Sequence, residues 1–277
     1  MAGTDQHAIV RLGPHDALAG LALSSEAQWN QNEADWRFFL SGGTVFGVRD
    51  DNDRLIASAA LLPYASGNAW VSMVLVTAIW RRRGFATRLV DACLDAAAKQ
   101  GFVAWLDATP AGAAVYGRLG FTPTLQLRRL RLDNTAPVKT GAPQALTTGN
   151  LEELIARDAN AMGFDRKPLM TELGSRSRSR LMSNGDAVAL VRDGRKARHI
   201  GPVLASRPDQ ALALVNEIVR SEARPLLIDA VNEQQEFLEG LIGSGWTIER
   251  PFQRMRFGRP SAQPRETPFA VAGPEFG

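Results

Sequence analysis

Val74-Leu-Val-Thr-Ala-Ile-Trp-Arg-Arg-Arg-Gly-Phe-Ala-Thr-Arg-Leu-Val90 is the stretch whose reading decides the fold. An apolar strand ends at Val76, a glycine-containing turn comes next, and a helix begins at once. From Thr87 to Gln100 the apolar residues Leu89, Val90, Cys93, Leu94 and Ala97 share one helical face. A helix that starts directly after a strand presents unpaired backbone N–H groups and the positive end of its dipole, which together attract anions. Gly84 and the small Ala86 let a phosphate approach the backbone, and Arg81, Arg82 and Arg83 add positive charge. The spacing is neither a Walker loop nor Gly-x-Gly-x-x-Gly.

Outward from this turn, a short strand is expected at 7–14, a helix from Asp16 to about Ala22, and a further helix over Ser24–Leu40. Thr44–Arg49 and Leu55–Tyr64 flank Asp50-Asp-Asn-Asp53 as a hairpin, and Ala69–Val76 is a third strand. Val103–Leu106 is a strand, Ala111–Leu119 a helix closed by Gly120, and Leu125–Leu132 an arginine-bearing strand. The turn-forming, aperiodic stretch after Asn134 marks a boundary. This gives domains 1–135 and 144–277 with a linker at 136–143. The second half repeats the order: strands within Gly185–Val191 and His199–Ala205, a helix over Pro208–Ala223, a strand Pro225–Asp229, a helix Glu233–Gly243 and a strand Arg250–Gly258. Gly245-Trp246 stands where the first half has Gly120-Phe121. The tail from Pro260 reads as a loop or an arm packed on another domain.

Composition sets limits. Hydrophobic residues are 45% and charged residues 22%, ordinary for a globular chain. Lys plus Arg is 32 against 29 Asp plus Glu, a formal charge of +3, too small an excess for a nucleic-acid surface. No apolar run is long enough for a membrane span, and the first residues lack the pattern of a secretory signal. With one cysteine and three scattered histidines, no disulfide and no metal site are expected. A cytoplasmic protein is the corresponding expectation.

The segment Arg81-Arg82-Arg83-Gly84-Phe85-Ala86 resembles the acetyl-CoA-binding motif of the GNAT superfamily of N-acetyltransferases, Arg/Gln-x-x-Gly-x-Gly/Ala. Downstream, Tyr116-Gly-Arg-Leu-Gly-Phe121 resembles the family's Tyr-x-x-x-Gly-Phe, about 30 residues on with a helix and a strand between. The resemblance covers residues 7–132 well. It is looser in the second half, through Ala197–Ala205, which is similar to the extra GNAT-like domain of two-domain bacterial members. It implies an α/β (α+β) fold of two tandem GNAT-like domains, each a mixed, mostly antiparallel sheet flanked by helices, the second degenerate. It further implies acetyl-CoA as co-substrate, held by the backbone of Val74 and Val76 and by Arg81, Arg82, Arg83, Gly84, Phe85, Ala86 and Thr87. Tyr116 would be the acid that protonates the departing CoA thiolate. A phenol of pKa about 10 suits a thiolate of about 8.5. The acceptor expected is the primary amine of a small molecule, which attacks the thioester directly in a ternary complex. A protein lysine, a longer acyl chain, or a non-catalytic acyl-CoA sensor are the alternatives.

On the acceptor side, Trp29, Asn30 and Gln31 are candidate wall residues, with Trp29 and Trp36 equally readable as one core face. Asp107 reads either as an amine contact or as a helix cap. Glu26, Glu33 and Asp35 stand open as the base. Cys93 reads as buried filler, Arg176–Arg180 and Arg192–His199 as solvated basic turns, and Gly163–Pro168 as a polar loop facing the first domain. Ser206-Arg-Pro-Asp-Gln210 lacks the Gly-x-Gly/Ala turn, and no tyrosine precedes Gly245-Trp246, so the second half is not expected to bind acetyl-CoA. A wall of the acceptor pocket or a homodimer face remains open as its role.

Overall fold

A computed structural model describes residues 7–133, 146–260 and 262–277; the linker expected at 136–143 lies outside them. The chain forms two compact units, Met1–Leu106 with Arg256–Pro260, and Asp107–Met255 with Ser261–Gly277.

In the first unit the order is β1 (Ile9–Arg11), α1 (Ala17–Glu26), α2 (Glu33–Gly42), β2 (Thr44–Arg49), β3 (Leu55–Tyr64), β4 (Asn68–Val76), α3 (Phe85–Lys99) and β5 (Val103–Ala108). The strands lie in the spatial order β1-β2-β3-β4-β5. All neighbours are antiparallel except β4 and β5, whose parallel pairing needs the crossover that α3 provides. β3 is an apolar run buried on both faces, as a central strand requires. The single helix expected over Ser24–Leu40 is two helices. Gln28 adopts φ +60, and Asn32 opens α2 by accepting from the Asp35 amide while Asp35 accepts from the Asn32 amide. The break separates the two tryptophans. Trp36 is fully buried on α2, its indole N–H donating to Ser24 Oγ at 2.9 Å. Trp29 lies in the intervening turn.

The second unit contains α4 (Pro110–Arg118), β6 (Thr122–Leu132), β7 (Thr147–Thr148), α5 (Leu151–Met162), α6 (Lys167–Ser175), β8 (Arg180–Asn184), β9 (Ala187–Arg192), β10 (Arg198–Leu204), α7 (Pro208–Ser221), β11 (Leu226–Val231), α8 (Gln235–Gly243) and β12 (Thr247–Phe257, whose last two residues count with the first unit). Its strand order is β12-β6-β11-β10-β9-β8-β7. β10 and β11 are the parallel pair, with α7 as crossover. One core cluster gathers Leu130, Val191, Ile200, Leu214, Ile218, Phe237 and Trp246, the inward residues of these strands with α7 and α8.

Several expectations are corrected here. Gly163–Pro168 is not a polar loop facing elsewhere. Phe164 is buried, and the fully buried Arg166 makes two bonds of 2.7 and 2.8 Å to Asp158 within its own unit. Arg192 and His199 are not solvated; each is about 1% exposed at its side chain. Only the turn between them is at the surface. The tail is not an arm on another domain: residues 262–277 pack into the second unit. α6 and β8 were not visible in the sequence.

Candidate functional site

In the first unit, β4 and β5 pair only at Asn68↔Val103, Ala69↔Ala104 and Trp70↔Trp105. Beyond that point β4 runs on to Val76 without β5. The divergence has a local cause. Met73 sits at φ +51, the β3–β4 register shifts there, and Ser58 Oγ donates to the Met73 carbonyl at 2.8 Å. A bulge of this kind bends the strand and re-aims its backbone. Val74 and Val76 are half-buried in this departing segment.

A short 3-10 turn, Ala78–Trp80, links β4 to the basic turn. Arg82 holds φ +61 and Gly84 φ +80. A Cβ at Gly84 would meet nothing within 4 Å among the described residues, so the glycine is needed for conformation rather than for internal space. Gly84 caps α3 without a side-chain bond, so the amides of Phe85, Ala86 and Thr87 open the helix without a capping side chain. Arg81 to Gly84 are exposed. Arg81 Nε donates to the Val76 carbonyl at 3.1 Å, tying the turn to the strand end. Arg83 donates to the Ile79 carbonyl at 3.3 Å and lies 4.7 Å over the Trp80 ring. The Phe85 side chain does not face solvent. It is buried beside His7 and Trp80, at centroid distances of 6.2 and 5.8 Å, so only its backbone remains available.

Of the carboxylates open as base, Glu33 pairs with Arg37 and Asp35 is used in the α2 cap. Glu26 is placed differently: from the end of α1 its Oε1 accepts from the Ala78 amide at 2.7 Å, beside the end of β4. Asn30 and Gln31 are buried, and Gln31 Oε1 has no hydrogen-bond partner among the described residues. The sequence reading missed Ser58 and the buried Thr77, whose Oγ1 likewise lacks a partner among the described residues. A polar residue inside the otherwise apolar β3 was the available signal for Ser58.

In the second unit, Tyr116 lies on α4 and is half-buried. Its ring packs on Phe121 at 5.9 Å, and its carbonyl accepts from the Phe121 amide at 3.1 Å, so the Tyr-x-x-x-Gly-Phe spacing closes one local turn. Gly112 makes room for the ring, since a Cβ there would lie 3.1 Å from Tyr116 Cε2. Asp107 is not the cap of α4; Thr109 is, accepting from the Gly112 amide. The Asp107 carboxylate is fully buried, and both oxygens accept from Arg254, at 2.9 and 2.8 Å. Burial pushes this carboxyl up against the pull of Arg254. Cys93, on the buried face of α3, has its thiol pushed up to about 12 by burial, which leaves it inert.

Family models match both halves: the GNAT acetyltransferase family over residues 17–121 and the acetyltransferase (GNAT) domain over 154–270. The chain belongs to the GNAT superfamily. It is a two-domain GNAT N-acetyltransferase homologue, with an α/β fold in tandem. It is 22% identical over 247 residues to the uncharacterized N-acetyltransferase YitH of Bacillus subtilis, covering 86% of this chain and 87% of that one. Among solved structures it is similar to a Pyrococcus horikoshii protein classed with the acetyltransferases (TM-score 0.81, 17% identity, 98% and 96% of the chains). It is also similar to a tandem GNAT protein of the clavulanic acid biosynthesis pathway (TM-score 0.66, 16% identity, 91% and 98%). Among the described residues, no helix is long and apolar enough to cross a membrane.

Proposed function

We propose that this GNAT protein transfers an acetyl group from acetyl-CoA to the primary amine of a small molecule, directly and within a ternary complex. The observation that carries the reading is the bulged end of β4, left without a parallel partner after Trp70, running into the αL turn at Gly84. The residues fit the group. An unpaired strand edge at Val74 and Val76 suits an amide-bearing pantetheine arm, as a strand edge suits an extended peptide. The amides of Arg82 to Thr87 and the exposed arginines suit a pyrophosphate. Tyr116 is the proposed acid for the thiolate, on the strength of the family motif and the local turn that fixes its ring.

Glu26 is the proposed carboxylate for the amine proton, delivered directly or through water. Its hold on the Ala78 amide keeps it beside the strand end. Glu26→Gln keeps an oxygen for that amide and removes the charge. We expect it to lower kcat at least 10-fold while leaving acetyl-CoA affinity unchanged, as removal of a general base does. If Glu26 only positions the backbone, Glu26→Gln keeps full activity and Glu26→Ala alone loses it.

The direct test is acetyl-CoA-dependent acetylation across a panel of small amines, with thiol release as readout, for wild type and Tyr116→Phe. Turnover in the wild type, reduced about 10²-fold or more in the variant, is expected. Absence of turnover with every amine, despite cofactor binding, would contradict the reading.

A further inference from the structure

The two units share one topological point. In the first, the parallel strands β4 and β5 separate after three paired positions, at a bulge. In the second, the parallel strands β10 and β11 pair at Arg198↔Leu226, His199↔Leu227 and Ile200↔Ile228, and separate at an irregularity between Ile200 and Val203. The second gap is filled. Phe269–Val271 enters it as a short strand bridged to Val203 on one side and Ala230 on the other. The Val203 amide donates to the Ala270 carbonyl at 2.9 Å and the Phe269 amide to the Val203 carbonyl at 2.9 Å. The Val231 amide donates to the Phe269 carbonyl at 3.0 Å and the Val271 amide to the Asp229 carbonyl at 3.0 Å. Phe269, Ala270 and Val271 are buried. A Cβ at Gly201 would sit 2.1 Å from the Val271 carbonyl, so β10 makes room for the segment.

Charge anchors the residues after this short strand. Glu275, buried, accepts from Arg192 at 2.7 Å, which also donates to the Ala272 carbonyl at 3.0 Å. Arg166 donates to the Phe276 carbonyl at 2.7 Å. The helix after β10 is also closed to an outside anion. α7 begins at Pro208, which brings no amide proton. The Asp209 carboxylate, paired with Arg207, sets a negative charge in the first turn of that helix.

We propose that the segment Phe269–Glu275 is a built-in surrogate ligand: it fills, in the second unit, the strand gap that the first unit leaves for its acyl-CoA. The inference rests on the proposed cofactor reading of the first gap, and the test does not use acetyl-CoA. A site-specific protease sequence inserted between Ala262 and Gln263, in an exposed stretch, is cut after folding. The fragment is expected to stay bound through gel filtration at one per chain. Amides of Val203, Val231 and Val271 in the uncut protein should exchange at least 100-fold more slowly than those of Ala262 and Gln263. Glu275→Ala should speed them at least 10-fold without altering β2 and β3. Loss of the fragment on gel filtration, or exchange at Val203 and Val231 as fast as at Ala262 and Gln263, would overturn the proposal. If Glu275→Ala does not fold, the cut wild-type sequence decides alone. Failure of acetyl-CoA to bind the first unit would instead sink the functional reading and leave this result standing.

Discussion

At the scale of single residues, the second unit is unusual in burying charge. Asp229 accepts from Arg129 at 2.8 Å through both oxygens, and His199 Nε2 lies 3.2 Å from the same carboxylate. Arg192 stands 3.4 Å from His199 Nδ1. This geometry suits a neutral imidazole that accepts through Nδ1. Burial, with Arg192 beside it, holds His199 below its ordinary pKa. The unfolded chain therefore binds more protons than the folded one just below pH ~6.5, so stability falls as pH drops through that range. Urea midpoints should decline from pH 7.5 to 5.5, and His199→Gln should flatten the decline. For Asp229, burial raises the carboxyl but Arg129 and His199 outweigh it, leaving it well below the usual range. Its contribution is present above the unfolded value near ~3.9 and is lost only in stronger acid. Arg129→Met strands this carboxylate and should cost about 3–5 kcal/mol by urea unfolding; adding Asp229→Leu should recover most of it. None of this was legible in the sequence. The partners Arg129 and Asp229 stand 100 residues apart, and Asp107 and Arg254 147 apart. Local reading shows an arginine-rich strand and cannot show what its guanidinium groups face. Gly84 was legible because its role is local: an αL turn before a helix leaves its mark within six residues.

At the scale of elements, periodicity served where one pattern stood alone. The hairpin β2–β3 and the amphipathic α3 match their sequence signals closely, because apolar runs flanking an acidic turn and a continuous apolar stripe each allow one reading. It failed at Ser24–Leu40, where helix-compatible residues run through a break that only the Asn32–Asp35 cap reveals. Asn32→Ala should cost about 1 kcal/mol, read as a lower urea midpoint with the cofactor affinity little changed. An unchanged midpoint would mean that packing of Trp36 alone fixes α2. β8 was missed because its five residues, Arg180–Asn184, begin at the end of a basic stretch and carry little alternation. The bulge in β4 was equally silent, since it comes from register against β3 rather than from a glycine or proline.

At the scale of the whole molecule, the chain uses one design twice with opposite outcomes. Each unit has a parallel strand pair that opens after three positions, joined by a crossover helix. One opening leads into an αL turn with exposed arginines. The other is sealed by Phe269–Val271 and by a helix start that carries its own carboxylate. The lack of a Gly-x-Gly/Ala turn in the second half was readable from sequence. The sealing strand was not, because it comes from the far end of the chain and has no pattern until β10 and β11 supply its partners. The central claim is that the chain takes one acetyl-CoA, at the first opening. Calorimetric titration of acetyl-CoA into wild type and into Gly84→Glu tests it most directly. One site per chain in the wild type is expected, with affinity at least 100-fold weaker in the variant, which sets a negative side chain and a strained backbone at the proposed pyrophosphate turn. Two sites in the wild type, or a single site that Gly84→Glu leaves intact, would contradict it.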